Sequence, residues 1–256
     1  MTIVCATSTI TPEDETVVAA AALARSFHHR LVLTSVIQKL HTAEFDWGGE
    51  GRVLRQLRAA EIVLHAEHTN AVCQLLHGEL DATLAQLCNE VRARLLVVGV
   101  SRERWTGWHA TKVDRMAFAV RVPMLVVRES APFVEWGAGR EPLRVLIHEG
   151  DRAWLGELGS LTLDEITGDV WASERELQRQ GLRAVDCDGT AEWIVEKAAR
   201  ESVDLIIVGT HRERGLSGLL ESVAHDVVAR APTAVALVPE PDVGTFSYNN
   251  VRAQVE

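Results

Sequence analysis

The chain has 256 residues, of which 47% are hydrophobic and 24% are charged, and its formal net charge at pH 7 is −10. This composition is typical of a folded globular protein with one or two domains and excludes a disordered chain. The acidic balance disfavours attraction to nucleic acid or anionic lipid. The sequence contains no apolar run of the roughly 20 residues that a membrane span needs. It opens with Met1-Thr2-Ile3-Val4 and no basic stretch, which predicts a cytoplasmic protein without a signal peptide.

The cysteines predict neither a disulfide framework nor a metal site. They are far apart in the sequence and form no C-x-x-C pair or paired Cys/His spacing. We expect reduced, mostly buried thiols that act as small apolar residues, as in a reducing cytoplasm. The four positions are Cys5, Cys73, Cys88 and Cys187.

The first part of the chain alternates between strand-like and helix-like segments. A strand is predicted at Thr2–Ala6, followed by a helix that Thr11 caps, with Pro12 at the first helical position and acidic residues in the first turn. The next predicted elements are a strand at residues 31–37, a helix at 51–68 and a strand at 71–76.

Two later segments repeat one order of elements. Each has a helical pattern, an apolar strand that ends in glycine, and Arg-Glu-Arg in the loop that follows. The first copy has Leu80, Leu84, Leu87 and Val91 on the helix, then Gly99 and Arg102-Glu103-Arg104; the second has Ala191, Ile194, Val195 and Ala198, then Gly209 and Arg212-Glu213-Arg214. Each loop leads into a second helix, a proline and a closing strand. The helices are predicted at residues 113–120 and 223–230, and the strands at 124–127 and 234–238.

This repetition predicts two tandem α/β domains, because apolar strands that alternate with helices favour a parallel sheet covered on both faces. The first domain is predicted to have five strands at residues 1–128, and a linker follows at 129–141. The second, at 142–239, has strands at 143–147 and 183–187 and a helix at 172–180, so one strand–helix pair is missing and four strands remain. Residues 240–256 form a tail.

The end of the second copy resembles a known family. Val208-Gly209-Thr210-His211, Arg214-Gly215-Leu216-Ser217, Ser222-Val223-Ala224 and Arg230-Ala231-Pro232 are similar to the C-terminal signature of the universal stress protein (UspA-type) family. The resemblance implies a parallel sheet of the adenine-nucleotide alpha hydrolase-like (Rossmann-like) type and dimerisation through the last strand. It also implies that the halves of a tandem chain pair like a dimer, with the two closing strands near a pseudo-twofold axis. A homodimer or an unidentified protein partner remains open.

One branch of that family binds ATP through a loop with the motif G-x-x-G, then nine residues, then G-[ST]. Both copies in this chain depart from that motif. The first glycine is kept as Gly99 and Gly209, but Arg102 and Arg212 replace the second. The third corresponds to Ala110 and Glu221, and the hydroxyl residue is kept as Thr111 and Ser222. At the adenine-binding acidic position the first copy has Ser8, and Glu149 fills it in the second. We therefore expect that the chain is not a typical ATP-binding member.

Arginines at strand ends offer another way to hold phosphate, because a guanidinium group binds it in bidentate fashion. They could equally bridge the halves or pair with nearby acids. The candidate nucleotide-binding residues are Gly99, Arg102, Arg104 and Thr111 in the first copy and Glu149, Gly209, Thr210, His211, Arg212, Arg214, Gly215, Ser217 and Ser222 in the second.

Three functions follow from the resemblance and these residues. The first is a cytoplasmic stress-response protein that acts by binding a ligand or partner, with no catalytic residues and no metal. The alternative is an adenine-nucleotide (ATP or AMP) sensor, mainly in the second domain. The third, a slow nucleotide hydrolase, needs a magnesium-binding acid, for which Asp114 and Asp226 are loosely placed.

Overall fold

The computed structural model describes residues 1–8, 10–11, 13–38, 47–99, 107–148, 182–187, 190–210 and 223–239. The strands are β1 (Thr2–Ala6), β2 (Arg30–Ile37), β3 (Ala71–His77), β4 (Ala93–Gly99), β5 (Met124–Val127), β6 (Leu143–His148), β7 (Leu182–Cys187), β8 (Leu205–Thr210) and β9 (Ala234–Pro239). The helices are α1 (Glu15–Ser26), α2 (Trp47–Ala66), α3 (Leu80–Glu90), α4 (Gly107–Ala119), α5 (Ala131–Gly137), α6 (Ala191–Arg200) and α7 (Val223–Arg230).

All nine described strands form one sheet in the order β3-β2-β1-β4-β5-β9-β8-β6-β7. Neighbouring strands are parallel within β1–β5 and within β6–β9, whereas β5 and β9 are antiparallel. The α/β fold predicted from the sequence is confirmed. Among the described residues the second half has four strands, and the strand without a counterpart is β3, at the outer edge of the first half.

The β5–β9 ladder gives the sheet a local pseudo-twofold axis. Leu125 is opposite Ala236, and the pairs on either side are Met124 with Leu237 and Val126 with Val235. A shift of 111 residues carries Leu125 onto Ala236 (236 − 125), Met124 onto Val235 and Val126 onto Leu237. The ladder is therefore symmetric about the Leu125–Ala236 pair, and the prediction that the closing strands meet at a pseudo-twofold interface is confirmed.

Buried side chains cover both faces of the sheet, which explains why the strands are apolar throughout. On one face, α1, α2 and α5 pack against the core of the first half, and this cluster continues onto β6, β8 and β9. On the other face, α3 and α4 of the first half and α6 and α7 of the second share one core. Since this second core crosses the β5–β9 ladder, the halves are joined by side-chain packing as well as by backbone hydrogen bonds.

The helix start predicted at Thr11 is wrong. Helix α1 begins at Glu15, and the Asp14 side chain caps it by accepting a hydrogen bond from the Thr16 backbone N–H at 2.9 Å. The Thr11 carbonyl accepts a bond from the Asp14 N–H, which forms a turn before the helix. Both residue types cap helices well, and here the one next to the first helical turn does so.

The segment predicted as a linker contains helix α5, which the sequence analysis did not identify. Phe133 is completely buried, and the ring of Trp136 lies 5.6 Å from that of Phe27 at the end of α1. This short helix therefore packs on the first half. A short segment with a proline and two aromatic residues is also typical of a loop. Here the packing of the two aromatic side chains against the first half stabilises it as a helix.

Burial keeps the described thiols protonated. Cys5 and Cys88 are buried and Cys73 is partly buried, and all three are free. Burial raises the pKa of Cys73 and that of Cys88 to about 12, and it raises that of Cys5 further. This matches the expectation of reduced, buried thiols for these three positions; the side chain of Cys187 is outside the described structure.

We predict that these three thiols resist alkylation in the folded protein. Iodoacetamide reacts with the thiolate, so at pH 8 Cys5, Cys73 and Cys88 should react at least about a hundredfold more slowly in the native protein than in denaturant. Peptide mapping by mass spectrometry separates them from Cys187. Native labelling at any of the three within the time needed for the unfolded chain would contradict the described burial.

Candidate ligand site and the contact between the halves

The candidate loops leave the sheet at its topological switch points. In the first half the order of strands reverses between β1 and β4, and in the second between β6 and β8. Open α/β sheets bind ligands at such points, beyond the carboxyl ends of the strands. Gly99 is the last residue of β4, and Gly209 and Thr210 end β8, so the strands deliver these predicted residues to the expected edge.

The two switch points are at opposite edges of the sheet. All strands of the first half run parallel to β5, all strands of the second run parallel to β9, and β5 and β9 are antiparallel. The carboxyl ends of β4 and β8 therefore point in opposite directions. Each candidate loop thus begins at its own end of the molecule, which favours two separate sites over one composite site.

Most predicted site residues lie outside the described residues. Of the candidates, the structure describes Gly99, Gly209, Thr210 and the backbone of Thr111, which lies in α4. The others, which remain predictions, are Arg102, Arg104, Glu149, His211, Arg212, Arg214, Gly215, Ser217 and Ser222.

Gly99 allows α1 to approach the end of β4 closely. A Cβ atom at this position would lie 1.9 Å from Thr16 Oγ1 and 3.1 Å from Thr16 Cβ. Thr16 is buried in the first turn of α1. Glycine is therefore required here by packing, independently of any ligand.

The Thr210 side chain is used within the sheet. It is buried, and its hydroxyl donates a hydrogen bond of 3.3 Å to the Val238 carbonyl of β9. Gly209 is opposite the same residue in the β8–β9 register. The described end of β8 is thus tied to the strand that joins the two halves.

Acidic side chains occupy the start of α1 beside the first switch point. The Asp14 carboxylate caps the helix, and the Glu15 carboxylate accepts a hydrogen bond from the Ser130 backbone N–H. Negative charge is favourable at a helix N-terminus, so both residues stabilise α1. The same charges oppose the binding of a phosphate group nearby.

Among the described residues, a buried polar contact between α4 and α7 joins the halves. The Nδ1 atom of His225 lies 2.6 Å from Oδ2 of Asp114, whose side chain is 1% exposed, while that of His225 is 34% exposed. Among the described residues, Asp114 Oδ1 has no hydrogen-bond partner. Burial raises the pKa of the Asp114 carboxyl, and the hydrogen bond from His225 opposes that rise. Asp114 is thus committed to the interface, which argues against a role as an open magnesium ligand.

The sequence analysis missed this contact although the repeat contained a signal for it. Asp114 and His225 are 111 residues apart. The same shift matches Thr111 with Ser222 in the two loops and Leu125 with Ala236 in the ladder. The two side chains therefore occupy equivalent positions in the two halves, and only the pseudo-twofold arrangement places equivalent positions face to face.

Substitution of Asp114 by asparagine is predicted to change how stability depends on pH. The pKa of Asp114 is above its ordinary value of 3.8, so the stability that its proton contributes is present below pH 3.8 and is lost as the pH rises through the higher folded-state value. As the pH rises above 3.8, the free energy of unfolding of the wild type should fall relative to that of Asp114→Asn by up to about 1.4 kcal/mol per pH unit. Urea unfolding measures it; a difference of the opposite sign would contradict the assigned shift.

The chain contains no described cluster of three or more His, Cys, Asp or Glu side chains that could hold a metal ion. No helix in the described ranges has the length and hydropathy needed to cross a membrane.

Comparison with known proteins agrees with the fold. Residues 175–239 match the model of the Universal stress protein family. The chain is similar to a functionally unknown protein from Pseudomonas aeruginosa PAO1, with 14% identity, coverage of 93% of this chain and 92% of that chain, and a TM-score of 0.58. It is also similar to a universal stress protein from Archaeoglobus fulgidus DSM 4304, with 13% identity, coverage of 94% and 97%, and a TM-score of 0.57.

At these identities the structural similarity shows the fold alone, and no curated protein matches the chain in sequence. The family match covers the C-terminal part of the second half, including β7, α6, β8, α7 and β9. The family resemblance predicted from the sequence is confirmed for residues 175–239.

Proposed function

We propose that the chain is a cytoplasmic stress-response protein that acts by binding and is not a typical ATP-binding member of its family. The observation that carries this proposal is the use of Gly99. This is the one glycine of the phosphate loop pattern that the first half keeps, and close packing against Thr16 accounts for it without a ligand. Arginine at the second glycine position of both loops and Glu221 in the second support the same proposal.

The proposed binding without turnover depends on the acidic side chains near the loops. Hydrolysis of a nucleotide needs an accessible acid to hold magnesium near the phosphates. Asp114 was the first-half candidate, and its carboxylate is buried against His225. This supports binding without turnover in the first half, whereas the second-half candidate, Asp226, lies half-buried in the first turn of α7.

An adenine-nucleotide sensor is the second candidate, and the acidic residues beside the first switch point favour its placement in the second half. Arg212 and Arg214 follow Thr210 within four positions, so their loop starts at the switch point between β6 and β8. Guanidinium groups there would hold phosphate without the missing glycines. The first half is less suited, because Asp14 and Glu15 place negative charge beside its switch point.

A nucleotide titration with matched variants separates the two proposals. ATP, ADP and AMP are titrated into the full chain, with and without magnesium, by calorimetry. The first proposal predicts no binding at millimolar nucleotide. The sensor predicts a Kd below about 100 μM, weakened about tenfold or more by Arg212→Ala because a charged hydrogen bond is lost. Arg102→Ala, at the equivalent position of the first half, is the control and should leave that affinity unchanged.

Each other outcome has a defined meaning. Equal weakening by both variants would contradict placement in the second half and assign a site to each loop. Tight binding that neither variant alters would overturn the arginine mechanism. Release of phosphate from ATP by the wild type, above the rate of Arg212→Ala, would contradict binding without turnover.

A further inference from the structure

The contact between Asp114 and His225 has a property that the proposed function does not use. The two residues occupy equivalent positions, 111 residues apart, on either side of the pseudo-twofold axis that the β5–β9 ladder defines. When two identical halves pair about such an axis, an on-axis residue meets its own copy. In this chain the position is filled by two different residues.

The chemistry of the pair distinguishes unlike halves from like halves. Asp114 with His225 joins a carboxylate to a ring that donates from Nδ1, and the 2.6 Å distance is that of a strong hydrogen bond. Two first halves would instead place two aspartates together, where both carboxylates cannot be ionised without strong repulsion. Two second halves would face two histidines, which repel one another when both are protonated.

The surroundings make a mismatch costly. On α4 the neighbouring buried residues are Val113, Met116 and Ala117, and on α7 they are Ala224, Val227 and Val228. These side chains belong to the core that crosses between the halves. The Asp114 side chain is 1% exposed, so the loss of its hydrogen-bond partner costs more free energy than it would in water. The His225 side chain is 34% exposed, and the charged Arg128 donates a hydrogen bond to the Val228 carbonyl on the same helix.

We propose that Asp114 and His225 form a pairing code that selects contact between a first half and a second half over contact between two like halves. The partner that this surface fits is the second half of the same chain. The code favours the pairing of β5 with β9 of the same chain. It disfavours a dimer in which two chains associate through their first halves.

Variants of the full chain test this code without separating the halves. His225→Asp reproduces in place the contact that two first halves would make, and Asp114→His reproduces that of two second halves. The double variant Asp114→His/His225→Asp restores an unlike pair in reverse order. His225→Ala removes the partner without adding a like group, and His225→Asn keeps a donor near the position of Nδ1.

The equilibrium constant for unfolding, measured in urea near neutral pH, should follow the pairing. We expect His225→Asn to change it by less than about tenfold and His225→Ala to raise it about tenfold. His225→Asp should raise it about a hundredfold or more. The double variant should recover most of the loss that either single exchange causes.

Two results would overturn the code. One is a double variant whose loss equals the product of the two single effects, because the residues would then act independently. The other is His225→Asp no less stable than His225→Ala, because a like pair would then carry no penalty. If His225→Asp does not fold, the double variant decides: a folded double supports the code, and an unfolded double beside a folded His225→Ala refutes it.

Discussion

The antiparallel ladder between β5 and β9 is the contact on which the rest of the molecule depends. Each half ends in a short apolar strand that is buried on both faces, and its free edge would leave backbone N–H and C=O groups unpaired. Pairing the two edges removes this cost for both halves at once and makes one continuous sheet. The ladder also fixes the symmetry axis, because Leu125 and Ala236 are opposite one another.

The axis also determines where the two candidate loops begin. The strands of the two halves run in opposite directions, so the loops after β4 and β8 begin at opposite edges of the sheet. Helices α4 and α7, which return from these loops, meet over the ladder on one face and bring Asp114 to His225. The centre of the sheet is thereby used to pair the two halves.

Residues that the family resemblance assigns to the phosphate loops have packing roles in both halves. A glycine at the end of β4 accommodates Thr16 of α1, and a threonine at the end of β8 is bonded to β9. A family pattern in the sequence counts both positions as parts of a phosphate loop. The structure gives each a role in packing that holds with or without a ligand, which is how a binding motif can lose its glycines while the fold persists.

Sequence pattern was sufficient to predict the repeat and, apart from α5, the order and approximate bounds of the described elements. Hydrophobic periodicity and turn residues act over a few positions, so β1 and β5 were predicted at their observed bounds, and helices such as α7 likewise. It also identified the closing strands and, through the glycine and the Arg-Glu-Arg segment that each copy contains, the equivalence of the two loops. Gly99, Gly209 and Thr210, which the resemblance assigned to a ligand, lie at the carboxyl ends of β4 and β8, and their role in binding stays a prediction.

Three features depend on tertiary contacts and could not be predicted from local sequence: the cap of α1, helix α5 and the contact between α4 and α7. Thr11 and Asp14 are both good caps, and the position of α1 on the sheet selects Asp14. Residues 131–137 become helix α5 because Phe133 and Trp136 have α1 to pack against. In the sequence, Asp114 and His225 are only an acid and a histidine on separate helices. They are in contact because the β5–β9 ladder places equivalent positions of the two halves face to face. These features depend on contacts between residues far apart in the chain, whose distances no local pattern encodes.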